Sequence, residues 1–317
     1  MSETDVCLEL FLDWLNRTHE RRFRIETRTE AGATARDGAI TLAVEARPLL
    51  EPTQNREWLA ARDALQEQIA AGLPVAIALW LPAGAELPVL SAAEGPAGEP
   101  SASQFTSLVR QTAVRLGPRE RSHVPLPVSL FLRKASDAGG VVSVTGALNP
   151  YWARFTEHVR GAYDLDSTRL HRLPESDEHL QQLIQTIIDQ AAQLDAGRTA
   201  EIQTIDAWTV QRRRGRQGVT IIGVPPGEID DMGLTVRRNL RRLLAGSGPS
   251  LRGREAHVRA LALLGYYPRI EQEGATTAMR GYDPVLYSGL DFVCLVADGL
   301  VTPLIEAPAG VLPWRRG

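Results

Sequence analysis

The first 82 residues alternate between two hydrophobic periods, and this alternation limits the folds open to the chain. Apolar residues recur at helical spacing over residues 5–22 and 55–71. Residues 23–30 and 39–49 show the two-residue period of half-buried strands, whereas residues 74–81 are almost wholly apolar, as in a strand covered on both faces. This succession of helices and strands predicts an α/β protein with a mixed central sheet flanked by helices.

The rest of the chain continues the mixture of helix and strand patterns. Helical spacing predicts helices over residues 104–116, 150–160, 177–194, 233–244 and 254–264. Alternating or apolar runs predict strands over residues 126–133, 141–145, 202–210, 219–224 and 291–305, the last with a turn at Asp298-Gly299. The turn residues 137–140 predict that the strands on either side of them form a hairpin.

A segment rich in Ala, Gly, Pro and Glu covers residues 83–103 and has the composition of a surface loop. We therefore expect an N-terminal α/β core over residues 1–100. Residues 101–317 are expected either to add helices and strands to the same sheet, as one continuous domain, or to form a second lobe.

Composition and charge exclude several classes of protein. The net charge is −3, so no overall basic character points to nucleic acid. No run approaches the 18 apolar residues of a membrane span, and the first ten residues do not resemble a signal peptide. The two cysteines, Cys7 and Cys294, lie in apolar stretches, which favours buried free thiols in a reducing compartment. We therefore expect a cytoplasmic protein without a membrane partner.

The chain has 35 basic residues, of which Lys134 is the only lysine. No G-x-x-x-x-G-K-[ST] sequence occurs, which excludes a phosphate-binding P-loop. The sequence also lacks C-x-x-C, H-E-x-x-H and G-x-S-x-G, so it offers no signature of a zinc site or of an α/β-hydrolase.

One segment combines acidic and basic residues on a predicted strand. In Asp37-Gly-Ala-Ile-Thr-Leu-Ala-Val-Glu45-Ala-Arg47, the two-residue period places Glu45 and Arg47 on the same strand face. Together with the order helix, strand, strand with the motif, helix, strand, this segment resembles the PD-(D/E)xK restriction-endonuclease-like family. The resemblance covers residues 1–82, and a weaker likeness covers the final helices and strands.

The resemblance implies a divalent-metal nuclease site on a restriction-endonuclease-like core. Glu45 would bind Mg²⁺ with Asp37 or Glu30 as the second carboxylate, because Mg²⁺ prefers oxygen ligands. Arg47 stands where the family has its lysine, and no aspartate occurs at residues 31–34, where the family has its Pro-Asp pair. Arginine binds phosphate but does not transfer protons near neutral pH. We therefore predict a weakened or lost metal site, as in a pseudoenzyme.

Two clusters of arginine are candidate nucleic-acid-binding residues: Arg212, Arg213, Arg214, Arg216, Arg237, Arg238, Arg241 and Arg242. The first cluster is more typical of a solvated hairpin tip, and the second is equally typical of a solvated helix face. The sequence thus predicts a restriction-endonuclease-like protein that binds nucleic acid. The alternatives are a non-catalytic scaffold or interaction protein that keeps only the fold, and an enzyme acting on a small molecule.

Overall fold

The structure is a computed structural model, and it describes residues 2–29, 32–51, 55–82, 85, 87, 102–167, 170, 172–174, 176–215, 217–225, 232–308 and 310–315. The described residues form two six-stranded mixed sheets and seven α-helices, which confirms the predicted α/β class. Among these helices, none has both the length and the apolar composition needed to cross a bilayer.

The first sheet, called here the terminal sheet, is built from both ends of the chain. Its strands are β1 (Arg24–Thr29), β2 (Gly32–Asp37), β3 (Ile40–Pro48), β10 (Val258–Leu264), β11 (Phe292–Ala297) and β12 (Leu300–Glu306), side by side in this order. Strands β1, β2 and β3 form an antiparallel meander, β3, β10 and β11 are parallel, and β12 returns antiparallel to β11. The predicted pair of strands with a turn at Asp298-Gly299 is therefore confirmed.

Three helices cover the two faces of the terminal sheet. They are α1 (Glu3–Thr18), α6 (Met232–Arg252) and α7 (Pro268–Arg280). The side chain of Ser2 accepts a hydrogen bond from the Asp5 N–H, and the Asp5 carboxylate accepts one from the Ser2 N–H, so a capping box begins α1. Helix α1 buries its apolar stripe on one face of the sheet, and α6 and α7 cover the other face.

The second sheet, called here the inserted sheet, lies between β3 and α6 in the sequence. Its strands are β6 (Gly140–Gly146), β7 (Gly161–Ser167), β5 (Arg121–Ser136), β8 (Thr199–Arg212), β4 (Ala76–Trp80) and β9 (Gly218–Ile222), side by side in this order. The helices of this segment are α2 (Arg56–Ala70), α3 (Ala102–Arg115), α4 (Trp152–His158) and α5 (Asp177–Gln193). Trp80 and Ile222 share one apolar core with α1, so the two sheets are packed together.

One predicted helix was wrong. Residues 254–264, which were expected to be helical, contain β10, the strand at the centre of the terminal sheet. The run Val-Arg-Ala-Leu-Ala-Leu-Leu is buried almost throughout because helices cover both faces of the sheet. A strand buried on both faces has no two-residue alternation, so hydrophobic periodicity does not distinguish it from a buried helix.

One predicted strand pairing was also wrong. β5 and β6 do not form a hairpin, because β7 lies between them in the sheet. The apolar strand at residues 76–80 does not lie beside the strand that carries Glu45, since β4 pairs with β8 and β9 instead. The neighbour of β3 is β10, more than 200 residues later in the sequence.

The boundary expected near residue 100 does not follow the sheets. The N-terminal strands β1 to β3 are completed by β10 to β12, so the last part of the chain extends the first sheet. The middle of the chain, from β4 to β9, forms a second sheet. The chain thus leaves the terminal sheet after β3, builds the inserted sheet and returns to the terminal sheet at β10.

Candidate functional site

Glu45 is a buried carboxylate on β3, on the face of the terminal sheet that α6 covers. Its side chain is 2 % exposed. The Ser250 hydroxyl, near the end of α6, donates a hydrogen bond of 2.6 Å to Glu45 Oε1. Arg254 lies 3.6 Å from the same oxygen, and Arg47 lies 3.9 Å from Oε2. The predicted Glu45–Arg47 pair on one strand face is therefore present, with two further partners that come from the segment around the end of α6.

The structure does not bring Asp37 to Glu45. Glu45 is opposite Gly32 on β2, whereas Asp37 is opposite Ile40 at the other end of the hairpin. Five residues of strand correspond to roughly 17 Å, which is too far for the two carboxylates to share one ion. Asp37 instead forms an ion pair of 2.6 Å with Arg21. Glu30, the other predicted second carboxylate, lies outside the described residues.

The only lysine of the chain is not near Glu45 either. Lys134 lies on β5 in the inserted sheet, where its ammonium donates to the Leu194 carbonyl at 2.9 Å and pairs with Asp137 at 2.8 Å. Arg47 is therefore the basic residue of the motif in space as well as in sequence, and it is half exposed.

The described residues around Glu45 do not fit a divalent metal ion. Mg²⁺ requires several oxygen ligands, of which one or two are usually carboxylates. Here one carboxylate is surrounded by a hydroxyl and two guanidinium groups, and the positive charges of the guanidinium groups disfavour a metal cation beside them. Nowhere in the described chain do three or more His, Cys, Asp or Glu side chains come together as a metal site. The described partners of this carboxylate are therefore a hydroxyl and two guanidinium groups.

The first arginine cluster is largely used to hold the inserted sheet to α1. Arg213 is buried and pairs with Glu9 of α1, and Arg214 pairs with Asp13 at 3.0 Å. Arg212 donates to the Leu116 carbonyl. Arg212 and Arg213 therefore have partners within the protein, and a contact of either with phosphate stays a prediction. Strands β8 and β9 do not form the hairpin considered for this cluster, because β4 lies between them. Arg216 lies outside the described residues.

The second arginine cluster forms an exposed stripe on α6. Arg237, Arg238, Arg241 and Arg242 are all exposed, while Val236, Leu240 and Leu244 of the same helix are buried. Of the four arginines, Arg242 forms an ion pair within the described residues, at 2.8 Å from the exposed Glu51. Residues 232–254 contain six arginines and no acidic residue. The outer face of α6 is therefore strongly basic, and we call these four residues the α6 stripe.

A polar network between the two sheets was not found from the sequence. Asp298 lies at the turn between β11 and β12, at 2.9 Å from Arg172 and 3.5 Å from Arg121. Arg172 also donates to Thr209 Oγ1 at 2.6 Å, which in turn contacts His123 Nδ1 at 3.1 Å. The only sequence signal was the Asp298-Gly299 turn itself, because the partners come from three separate segments of the inserted sheet.

Several buried ionisable groups lie outside these clusters. Glu271, in the first turn of α7, accepts a hydrogen bond of 2.9 Å from the Tyr267 N–H, and burial raises the pKa of this carboxyl to about 7. Cys7 and Cys294 are free and buried, as expected, and burial raises the pKa of both thiols well above the usual range. Neither thiol is therefore a nucleophile near neutral pH.

Comparison with known proteins gives no relative. No protein-family model, no curated protein and no solved structure matches this chain. A function for this protein is therefore inferred from the geometry described above.

Proposed function

We propose that this protein binds the phosphate backbone of nucleic acid through the α6 stripe, and that the metal nuclease site of the family it resembles has been lost. The observation that carries the proposal is the stripe itself. Four arginines project from one face of a 21-residue helix whose opposite face is anchored in the core. Arginines held on a rigid element match the repeated negative charge of a nucleic-acid strand.

The path of the chain supports a restriction-endonuclease-like core. A helix (α1), an antiparallel strand pair and the strand with Glu45 are followed by a second helix (α6) and a strand (β10) parallel to β3. Helices α1 and α6 lie on opposite faces of the sheet. The resemblance implies one strand before the strand with the motif, and the helix and strand after it at residues 55–71 and 74–81; here two strands precede β3, and α6 and β10 follow it only after the inserted sheet.

The surroundings of Glu45 support the loss of the metal site. In a working site of this family the carboxylate faces an ion, whereas Glu45 receives a hydroxyl hydrogen bond and lies beside two guanidinium groups. A buried carboxylate without such partners is strongly unfavourable. In this proposal the residue that once bound metal now fastens the segment around the end of α6 to the sheet, and so positions the basic helix.

A binding assay tests the proposal. Fluorescein-labelled single-stranded and duplex DNA are titrated with the protein at several salt concentrations, and anisotropy is measured. The wild-type association constant is expected to fall steeply with salt. Replacing the four stripe arginines with glutamine should weaken binding to both DNAs and lower the salt slope by about one for each phosphate that is no longer neutralised.

The matched control removes the same charge elsewhere. Arg115, Arg133, Arg160 and Arg198 are exposed and belong to the inserted segment, so their replacement by glutamine should leave binding nearly unchanged. Equal weakening of binding by both quadruple variants would show that binding depends only on net charge, and it would reject the stripe as the binding site. Wild-type binding that does not respond to salt would reject phosphate contacts altogether.

A cleavage assay tests the lost metal site separately. Wild type and Glu45→Ala are incubated with single-stranded and duplex DNA in Mg²⁺ or Mn²⁺. We expect no metal-dependent cleavage by either protein. Cleavage by wild type that disappears in Glu45→Ala would show a working site and would overturn this part of the proposal, whatever the binding assay gives.

A further inference from the structure

The outer edge of β8 is only partly covered by its neighbour. β8 has 14 residues and β4 has five, and the two strands pair only from Thr209 to Arg212. On its other side β8 pairs with β5 along almost its whole length. Among the described residues, no strand pairs with the outer edge of β8 before Thr209. A free edge offers backbone N–H and C=O groups to another strand.

The hydrogen-bond register identifies which residues of β8 face this edge. Arg212 donates to the Glu120 carbonyl and accepts from the Arg119 N–H, so its backbone groups point toward β5. At the other end, the Arg198 carbonyl accepts from the Lys134 N–H, again on the β5 side. The antiparallel register is continuous between them. Residues of even number therefore bond to β5, and residues of odd number point away.

Gln203, Ile205 and Ala207 are the odd-numbered residues next to the end of β4. The Ala207 N–H donates to the Asp206 carboxylate at 2.7 Å, which is consistent with its pointing away from β5. Ile205 is 61 % exposed, so this edge also presents a large apolar side chain to solvent. The edge from Gln203 to Ala207 thus combines outward backbone groups with an exposed apolar residue.

A groove of about 760 Å³ adjoins this edge, with α5 as one wall, and it extends across β8 to His123 and Pro125 of β5. Its apolar lining includes Leu173, Leu183 and Ile205, and its ionisable lining consists of His123, Arg172 and His179. No acidic residue lines it among those described. A groove between a helix and a strand edge accommodates one extended chain. Its lining offers the imidazoles of His123 and His179 to an acidic side chain, beside Arg172, which is paired with Asp298.

We propose that this groove binds an extended acidic peptide, which adds as a strand to the edge of β8 between Gln203 and Ala207. The backbone of the peptide pairs with Gln203 and Ile205, and an acidic side chain lies toward His123, Arg172 and His179. The groove is on the inserted sheet and the α6 stripe is on the terminal sheet, so this proposal does not depend on nucleic-acid binding.

The test uses a phage-displayed library of random nine-residue peptides selected on the wild-type protein. Ile205→Pro removes one outward N–H without removing a hydrogen bond to β5, and proline is tolerated at such edge positions. Ile205→Thr keeps the N–H and is the matched control. Synthetic versions of the selected peptides are measured by fluorescence anisotropy. Circular dichroism establishes that each variant is folded.

We expect acidic sequences to be enriched and to bind Ile205→Pro at least tenfold more weakly than Ile205→Thr. N-methylation of alternate peptide nitrogens should weaken binding to the wild-type protein by a similar factor, which tests strand addition without any change in the protein. Equal binding to both variants, insensitivity to N-methylation, or no selected peptide would overturn the proposal. A monomer–dimer equilibrium that Ile205→Pro abolishes would also overturn it, since a second copy would then occupy the edge.

Discussion

Glu45 and Glu271 are both buried carboxyl groups, but they are held in different ways. Glu45 lies beside two guanidinium groups and accepts from Ser250. Among the described residues, no arginine or lysine lowers the pKa of Glu271. Its hydrogen-bond donors are the backbone N–H groups of Tyr266 and Tyr267. A buried carboxylate without a positive partner is unfavourable, which is why the pKa of Glu271 rises to about 7.

Glu271 should therefore make the protein less stable as the pH rises. Its folded-state pKa lies above the usual 4.5, so its contribution to stability is complete below pH 4.5 and is lost as the pH rises through about 7. Glu271→Gln keeps an acceptor for the Tyr267 N–H and removes the charge. Relative to wild type, the variant should gain on the order of 2–3 kcal/mol in free energy of unfolding between pH 5 and pH 8. Urea unfolding at both pH values measures this.

Glu273→Gln is the matched control, because Glu273 is exposed on the same helix. Its difference from wild type should be nearly the same at pH 5 and at pH 8. If Glu271→Gln shows the same pH dependence as wild type, the Glu271 carboxyl does not titrate in the way that its burial implies.

Among the secondary-structure elements, α1 is tied to the inserted sheet by ion pairs of unequal burial. The Arg213 guanidinium is 2 % exposed, and its partner Glu9 is 19 % exposed. Arg214 is 52 % exposed, and its partner Asp13, which is 8 % exposed, also pairs with Arg119 at 3.0 Å and keeps that partner if Arg214 is removed. Breaking a buried pair leaves an uncompensated charge, whereas an exposed pair contributes little.

Arg213→Ala should therefore lower the free energy of unfolding by about 2–4 kcal/mol. Arg214→Ala, the neighbouring control, should lower it by less than about 1 kcal/mol. Chemical denaturation followed by tryptophan fluorescence measures both. Similar losses in the two variants would contradict the view that Arg213 holds α1 in place.

The β2–β3 hairpin depends on a close approach at Gly32. A Cβ atom at this position would lie 2.1 Å from the Val44 carbonyl oxygen, so the two strands have to separate if any side chain is added. Gly32→Ala should cost about 2 kcal/mol or more. Gly140→Ala, on an edge strand with open space around the glycine, should change stability by no more than about 0.5 kcal/mol. A thermal denaturation series that ranks the two variants equally would contradict this.

Local patterns predicted most helices and strands but not their neighbours. The apolar stripe of α1 and the turn at Asp298-Gly299 each depend on residues that are close together in the sequence, and the sequence predicts both. For β10 the sequence predicts a helix, because a strand that is buried on both faces has no two-residue alternation. Of the partners of Glu45, Arg47 follows from the two-residue period, but Ser250 and Arg254 do not, because they come from a segment more than 200 residues away and no local pattern encodes that pairing.

For the molecule as a whole, the route of the chain decides which parts are able to fold alone. β3 pairs with β2 on one side and with β10 on the other, and β4 lies between β8 and β9. In a fragment that ends near residue 100, β3 therefore lacks β10, and β4 lacks both β8 and β9. Such a fragment also lacks α6 and α7, which cover one face of the terminal sheet.

We expect residues 1–100, expressed alone, to be unfolded, since β3 and β4 both lose strands that bury them. Far-ultraviolet circular dichroism and the dispersion of amide proton resonances test this, with the full chain as the folded control. A cooperatively unfolding fragment with dispersed resonances would show instead that the N-terminal core is independent of β10 to β12.

The same route sets an order of events during synthesis on the ribosome. All strands of the inserted sheet have been synthesised once β9 is complete. The terminal sheet lacks a strand until β12 has been synthesised, roughly 80 residues later. At about 5–20 residues per second, β3 spends several seconds without β10 after the inserted sheet is able to close. β3, one of the first strands to be made, is thus among the last to pair on both sides. The edge of β3 that later pairs with β10 is therefore the part of the nascent chain that a chaperone would protect most.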